Sequence, residues 1–590
     1  MSDQGTGWDP EAGVHRQERH RTDRRCRGGA WVLLAWLAWL AWAQALGAGP
    51  RGAVATVHPE ATRAGLEALK AGGNAVDAVV ASAWMLGVVD GHNSGLGGGC
   101  FLLARLADGR VVAIDGREAA PASATRDLYV RDGKVNARLS QHGVLAAGVP
   151  GEFAALSWAA TNLGRLPVSW SLERAARVAE RGFAPTRSYR ERVVATHADI
   201  SWAPEGAPAF AEFRRIWSLP PGNGRWVLRQ PELAATYRSL AAGGVQAFYH
   251  GALARSAVAF SQAHGGLMTE ADWTGYQPRL RDPVRTRYRG HEIVGFPPPS
   301  SGGVHVGQIL NMLERYDLRS MGEDSPDMVH VVVEAMKRAF ADRARWLGDP
   351  DHVRVPRGLT DGAYAASLAA GIDLGKATDV PGAGKPPEAD VDVFESERWR
   401  HTTHFSAVDA EGNWVGCTAT VNTSFGSKVV VPGTGLVLNN EMDDFAAAPG
   451  VPNYFGLVGS EANAVAGGKR PLSSMSPTVV LKEGRPVLVV GAAGGPTIIS
   501  QAVLAVIRVV DFGRTPKQAL AGRRFHHQWR PDEVMLERRW GEAMASALRR
   551  RGHRVQWVDG LGATQAVGLG KGGELEAASD PRVDGLGATW

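Results

Sequence analysis

Cysteine is scarce here: three among 590 residues. So few exclude a disulfide-knit framework and a cysteine-built zinc site. Cys26 precedes the only strongly apolar leader, and Cys100 and Cys417 read as small buried hydrophobes. Neither sign of charge dominates, with 65 Lys and Arg against 60 Asp and Glu and a formal charge of +5. An excess this small and scattered makes no nucleic-acid surface, so no nucleic-acid partner is expected. Membrane-length runs are missing as well. The stretch AWVLLAWLAWLAWA, residues 30–43, falls short of the roughly 20 apolar residues a bilayer span needs. It follows arginines and precedes Ala43-Gln44-Ala45, so residues 1–45 read as an export leader cut after Ala45. A periplasmic or secreted product is expected, with an uncleaved membrane anchor as the alternative.

Familiar catalytic signatures are absent. GLGGGC (95–100) lacks both a Walker lysine and the third Rossmann glycine. His291-Glu292 has Gly295 where a zincin needs its second histidine, and no G-x-S-x-G elbow occurs. Nothing in the chain calls for a metal or a cofactor.

What remains is an ordinary globular composition, 44% hydrophobic and 21% charged. A first helix stops at Gly72-Gly73, and Asn74 with Asp77 starts a second. Strands follow over 101–106 and 111–116, joined by an Asp108-Gly109 turn. Ser325-Pro326 opens a long helix that ends before Gly348. Helical and antiparallel runs without regular βαβ alternation predict a layered α+β fold. Residues 373–400 are rich in Pro, Gly and charge and read as a surface linker, a mobile strap.

After that strap stands HTTHFSAVDAEGNWVGCTATVN (401–422), two β-rich runs around a turn at 409–413. Pairing symmetric about Glu411 sets Thr402 directly opposite Thr420, hydroxyl facing hydroxyl. A threonine hydroxyl is a feeble nucleophile until a base takes its proton. A threonine exposed as a new N-terminus has that base in its own α-amine. On composition alone Thr403 is an equal candidate, and a lone strand threonine is ordinarily structural.

The stretch 401–445, through FGSKVVVPGTGLVLNNEMDDF, resembles the γ-glutamyltranspeptidases, γ-glutamyl hydrolase/transferases of the N-terminal-nucleophile class. The likeness extends to GGNAVDAVVASAWMLGVVDGHNSGLGGGCFLLARLADGRVVAIDGREAAP (72–121), GFPPPSSGGVHVGQILNMLERYDL (295–318), MKRAFADRARWLGDPDHV (336–353), KRPLSSMSPT (469–478), GAAGGP (491–496), RFHHQWRPDEV (524–534) and GATQAV (562–567). The resemblance implies a four-layer αββα sandwich of two stacked, mainly antiparallel sheets. It implies cleavage between His401 and Thr402, giving a large subunit of 46–401 and a small catalytic one of 402–590 that pair as a heterodimer. It further implies Thr402 as nucleophile with Thr420 beside it, and Gly494-Gly495 as the oxyanion hole. Arg117, Ser473 and Ser474 match positions that bind the donor's α-carboxylate, and Asn422, Glu441 and Asp444 match those that hold its ammonium. The family also uses glutamine at position 441. Residues 446–456 resemble a lid loop, with Tyr454 and Phe455 as its aromatics. Expected substrates are glutathione and other γ-glutamyl compounds, with water, amino acids or dipeptides as acceptors. A cephalosporin or glutaryl acylase of the same fold, and a catalytically silent secreted binding protein, are the competing expectations. His404, His526 and His527 are expected to be structural.

Overall fold

Two antiparallel sheets lie face to face, and β-branched and aromatic side chains from both fill the space between them. The computed structural model describes residues 50–220, 226–388, 402–448, 450–457 and 459–590. Residues 52–590 form one unit, distinct from 1–51. The strands of the two sheets are β1 (Gly52–Thr56), β2 (Gly99–Arg105), β3 (Val111–Gly116), β4 (Arg279–Arg281), β5 (Val284–Tyr288), β6 (His291–Gly295) and β7 (Thr403–Asp409). They continue with β8 (Trp414–Thr420), β9 (Thr478–Lys482), β10 (Arg485–Ala493), β11 (Ala563–Leu569), β12 (Leu575–Ser579) and β13 (Leu586–Thr589). The first sheet runs β13-β1-β7-β8-β2-β3-β4 and the second β12-β11-β10-β9-β6-β5.

Strand β2 shows why its sequence is apolar at nearly every position. Phe101 and Leu103 point between the sheets, where they meet Val479, Val489 and Val567. Cys100, Leu102 and Ala104 point the other way, into the helices. A strand alternates its faces with period two, so burial on both faces removes the polar half of the pattern. Helices α1 (Pro59–Lys70), α2 (Ala75–Val89) and α3 (Glu152–Leu163) share a core with the first sheet. Helices α4 (Gly302–Leu313), α5 (Pro326–Trp346) and α6 (Thr497–Val510) share another with the second. The result is the expected αββα sandwich.

Local signals sit where the sequence put them. Asn74 and Asp77 form a reciprocal capping box at the start of α2, all of whose residues are buried. Ser325 caps α5, with Pro326 in its first turn. Among the described residues no helix is long and apolar enough to cross a membrane.

The strap departs from the loose linker its composition suggests. Its described part, to residue 388, is fastened to buried polar groups of α5. Lys337 Nζ donates to the Thr378 carbonyl at 2.5 Å, and the Gly384 N–H donates to Asp342 Oδ1 at 2.7 Å. Trp529 Nε1 donates to the Val380 carbonyl at 2.7 Å. Glu334, Lys337, Arg338 and Asp342 recur at helical spacing and lie buried, so one face of α5 is polar in order to receive this segment. The remainder, 389–401, including His401, lies outside the described residues.

Candidate active site

The β7–β8 hairpin fixes the first half of the site. Trp414 pairs with Val408 and Ala419 with Thr403. The same register continued one step sets Thr402 opposite Thr420. Gly412 takes φ 94° in the turn, a conformation that costs glycine little. Thr402 is 6% exposed, at the buried end of a central strand. Thr420 Oγ1 accepts the Asn422 N–H at 2.8 Å. Asn422 itself has φ 76°, which turns the chain off β8, and its Nδ2 donates to the Asn440 carbonyl at 2.8 Å.

That turn leads to a short 3-10 helix, Glu441–Asp444. Three residues per turn place side chains i and i+3 on one side, so Glu441 and Asp444 both reach Arg117 at the end of β3. Arg117 is fully buried. Its Nη2 donates to Asp444 Oδ2 at 2.5 Å, its Nη1 donates to Glu441 Oε1, and its Nε donates to the Pro471 carbonyl at 3.0 Å. Burial pulls the guanidinium's pKa down, but the surrounding carboxylates outweigh it and hold the pKa above its ordinary value. Burial raises Glu441 well above the carboxylate range despite the pull of Arg117. Glu118, with Oε2 3.6 Å from Arg117 Nη1, is pushed up by burial to about 7. Three acids crowd one cation, and they do not all ionise at neutral pH.

Ser473 and Ser474 approach from the second sheet's side. The Ser473 carbonyl accepts the Ser301 N–H at 2.8 Å, and Ser473 Oγ accepts the Met475 N–H at 3.1 Å. Ser474 Oγ accepts from Arg343 Nη2 at 3.2 Å. Arg343 also donates to Ser301 Oγ at 3.0 Å, and burial depresses its pKa to about 10. Glu118 and Arg343 were not singled out from sequence, although Arg343 lies inside a stretch that carries the family likeness.

Gly494 and Gly495 follow β10 and lead into α6. Their φ angles are 132° and 55°. A Cβ on Gly494 would stand 2.7 Å from Thr497 Oγ1, so this turn excludes a side chain on two grounds. The first N–H groups of α6 are taken within the turn, Thr497 N–H by the Gly494 carbonyl at 3.3 Å and Ile498 N–H by the Gly495 carbonyl at 3.0 Å. The donors this turn has to offer are therefore the N–H groups of Gly494 and Gly495 themselves. Such groups suit an oxygen that develops negative charge.

These pieces meet at one small cavity of about 10 Å³, lined by Thr402, Thr420 and Gly495 together with Arg117, Asn422, Glu441 and Asp444. Ser473, Ser474 and Phe455 also line it, with Leu457, Met475 and Ile498 as its apolar part. Gly494 faces a neighbouring cavity that also reaches Thr402. Tyr454 packs edge-on against Phe455, with ring centroids 5.6 Å apart. The Tyr454 N–H donates to Asp443 Oδ2 at 2.7 Å, and Gln528 Nε2 donates to the Gly456 carbonyl at 3.0 Å. Asn453 Nδ2 donates to Asp444 Oδ1 at 3.1 Å, so the loop over the cavity is tied to an acid inside it. His404 bridges Thr418 and Ser406, His526 bonds Ser500 and Gln528, and His527 bonds Asp532. None of these histidines lines the cavity.

The family model described as gamma-glutamyltranspeptidase matches residues 61–590. The chain is 41% identical over 557 residues to the glutathione hydrolase proenzyme of Escherichia coli (strain K12), covering 92% of each. It is 38% identical over 547 residues to the acylase ACY 1 proenzyme of Pseudomonas sp. (strain SE83), covering 91% of this chain and 93% of that one. Its fold is similar to that of a cephalosporin acylase from Bacillus halodurans, with a TM-score of 0.81 and 29% identity over 92% of this chain and 96% of the other.

Proposed function

Because the chain belongs to the γ-glutamyltranspeptidase family, we propose that Thr402 first cuts its own precursor and then carries the acyl group of a γ-glutamyltransferase and glutathione hydrolase. In the precursor the Thr402 hydroxyl attacks the His401 carbonyl. The peptide C–N bond breaks, which frees the Thr402 amine and leaves an ester on Oγ. Hydrolysis of that ester releases the His401 carboxylate and restores the hydroxyl. An α-amine titrates at about 8, so at neutral pH about a tenth of it is unprotonated and able to take the hydroxyl proton, a share that grows as pH rises toward that value. Thr402 Oγ then attacks the γ-amide of the donor. The tetrahedral oxyanion forms against the N–H groups of Gly494 and Gly495, the leaving amine departs with a proton, and an ester remains on Thr402. Water or an acceptor amine resolves it.

The observation that carries this reading is the shared cavity. A γ-glutamyl group bears an α-carboxylate and an α-ammonium, and the cavity beside Thr402 offers both signs. Arg117 with Ser473 and Ser474 suits the carboxylate, since a guanidinium fork matches it in shape. Asp444, Glu441 and the Asn422 side chain suit the ammonium. With no donor bound, Arg117 and Asp444 satisfy each other. At about 10 Å³ the cavity has room for about one water, too little for a glutamyl group. A donor therefore enters by moving the Phe455 loop and separating that ion pair, its carboxylate and ammonium replacing the two partners.

The acylase reading has relatives behind it, but a glutaryl chain has no ammonium for Asp444 and Glu441 to meet. Those two acids favour the glutamyl donor. The test is to produce the chain and its Thr402→Ala variant, sequence any new N-terminus, and assay γ-glutamyl-anilide and glutaryl-anilide turnover. Two chains beginning at Thr402, with turnover of the glutamyl substrate lost in the variant, is the expected result. A wild-type protein that stays as one chain and turns over neither substrate would overturn the proposal, and a cut elsewhere would overturn the nucleophile.

A further inference from the structure

Arg117 has little left to give a carboxylate. Its Nε donates to the Pro471 carbonyl, and its Nη1 and Nη2 donate to Glu441 and Asp444. Glu118 Oε2 stands 3.6 Å from Nη1 as well. Whichever of these acids ionise offset the charge of the guanidinium at the place where a carboxylate would arrive. Parting Arg117 from Asp444 frees one nitrogen, but Glu441 and Glu118 stay. An α-carboxylate seated there calls for a second source of positive charge.

Arg343 is placed to be that source. It lies in the last turn of α5 and is 4% exposed. Its Nε donates to Ser301 Oγ at 3.0 Å and its Nη2 to Ser474 Oγ at 3.2 Å. Both acceptors are neutral hydroxyls, and no carboxylate among the described residues stands within ion-pair distance of it. Asp444 and Arg117 act on it from farther off, the acid raising its pKa and the cation lowering it. A buried guanidinium ordinarily meets a carboxylate, because a desolvated charge without a partner is costly. On the same helix Arg338 obeys that rule, pairing with Glu334 at 2.9 Å. Arg343 does not.

The two hydroxyls it holds have different duties. Ser301 Oγ passes its own proton to the Ser473 carbonyl at 2.8 Å, which fixes the backbone that carries both cavity serines. Ser474 lines the cavity. Its Oγ accepts from Arg343, and its proton has no acceptor among the described residues. A hydroxyl whose lone pair is held by a cation is polarised, and its proton is turned away from that cation. The Ser474 O–H is thus readied for an anion in the cavity beside it.

We propose that Arg343 is a positioning residue that makes the donor site selective for a free α-carboxylate, acting through Ser474. The inference rests on the acyl-transfer reading above and deepens it. Ser474 makes the contact, and Arg343 supplies the charge behind it. A donor whose α-carboxylate is amidated gains nothing from that charge and is discriminated against. No bond is made or broken at Arg343, so its effect falls on donor binding rather than on acyl transfer.

The test compares donors that differ only in that charge, γ-glutamyl-anilide and its α-carboxamide, with rates expressed per cleaved chain. The full chain is measured with Arg343→Met, Arg343→Lys, Ser474→Ala and the Arg343→Met/Ser474→Ala double variant. The parent should prefer the acid. Arg343→Met should raise the acid's KM by about tenfold, the scale of one charge-assisted hydrogen bond, and leave its kcat within a few-fold. The carboxamide should hardly respond, so the acid-over-amide ratio falls. Arg343→Lys should recover part of it. With Ser474→Ala already present, adding Arg343→Met should change the ratio by about twofold at most, because the group through which it acts is gone. A structural role for Arg343 would lower both donors equally and keep the ratio, which overturns the inference, and so would full additivity of the two substitutions. Should Arg343→Met yield no cleaved chain, Arg343→Gln and Arg343→Lys decide. A ratio lost in the glutamine variant and partly kept in the lysine one supports the inference, and a parental ratio in both overturns it. Anilide turnover by the parent with no preference for the acid also overturns it while leaving the acyl-transfer reading intact. Absence of any turnover by the parent overturns both.

Discussion

The Asn422 N–H donates to Thr420 Oγ1 at 2.8 Å, so one lone pair of the hydroxyl opposite Thr402 is already occupied. Its proton is thereby steered away from the Asn422 amide, toward Thr402, which immediately precedes β7. Thr420→Val keeps the shape and removes both functions. It is expected to slow precursor cleavage and anilide turnover by about 10- to 100-fold, the worth of one buried hydrogen bond to a reacting group. Thr420→Ser should restore most of both. Equal rates for the valine variant and the parent would remove Thr420 from the mechanism.

Gly494 gives a second prediction. With φ 132° and a virtual Cβ 2.7 Å from Thr497 Oγ1, Gly494→Ala must shift the turn before α6. Loss of one aligned oxyanion donor costs about 10²–10³ in kcat. The variant should fold, show this loss in kcat, and keep its donor KM near that of the parent. A change confined to KM would assign the turn to binding instead.

Glu441 predicts a pH effect on stability. Its pKa is raised above the ordinary 4.5 by burial. A raised carboxyl favours the folded state below its unfolded value and loses that contribution as pH climbs through the folded one. Glu441→Gln has no proton to lose. The melting-temperature difference between variant and parent should be constant below pH 4.5 and grow in the variant's favour as pH rises from there to neutrality. Turnover at neutral pH should stay within a few-fold of the parent. A loss of a hundredfold would mean the working enzyme needs Glu441 ionised.

Asp342 tests the fastened strap. Its carboxylate accepts from the Gly384 N–H, the Tyr364 hydroxyl and Gln308 Nε2, and burial raises it to about 6. Asp342→Ala frees residue 384 from α5, and Asp342→Asn keeps one acceptor oxygen. Precursor cleavage, followed on denaturing gels, should slow several-fold in the alanine variant and less in the asparagine one. Unchanged cleavage at equal melting temperature would mean the anchor does not help present the scissile bond.

The sequence carried the hairpin because its information is local. Turn residues 409–413 and the flanking β-rich runs suffice for the register that pairs Thr402 with Thr420. The layers were legible for the same reason, through caps such as Asn74 and Ser325 and through the two-faced burial of β2. Glu118 and Arg343 were not, because their environments are assembled from afar. Arg117 meets Glu441 across 324 residues, and Arg343 meets Ser474 across 131. Each would pass for a solvated charge in its own segment. The strap misled in the opposite direction. Its polar, proline-rich texture is that of a linker, and only the buried polar face of α5 reveals that it is held.

Strand order in the first sheet has a consequence for how this protein would fail. Strand β1 lies before residue 402, yet its two neighbours, β13 and β7, both lie after it. A break at 401–402 thus leaves a strand of one fragment laced between two strands of the other, and neither can slide out while the ladders persist. Before the break, unfolding is an event within one molecule and can run backward. After it, two separate polypeptides must find each other again at whatever concentration they have, with apolar strands exposed meanwhile. The active form should therefore survive heating only for as long as it does not open, and its lifetime should be set by the rate of first opening.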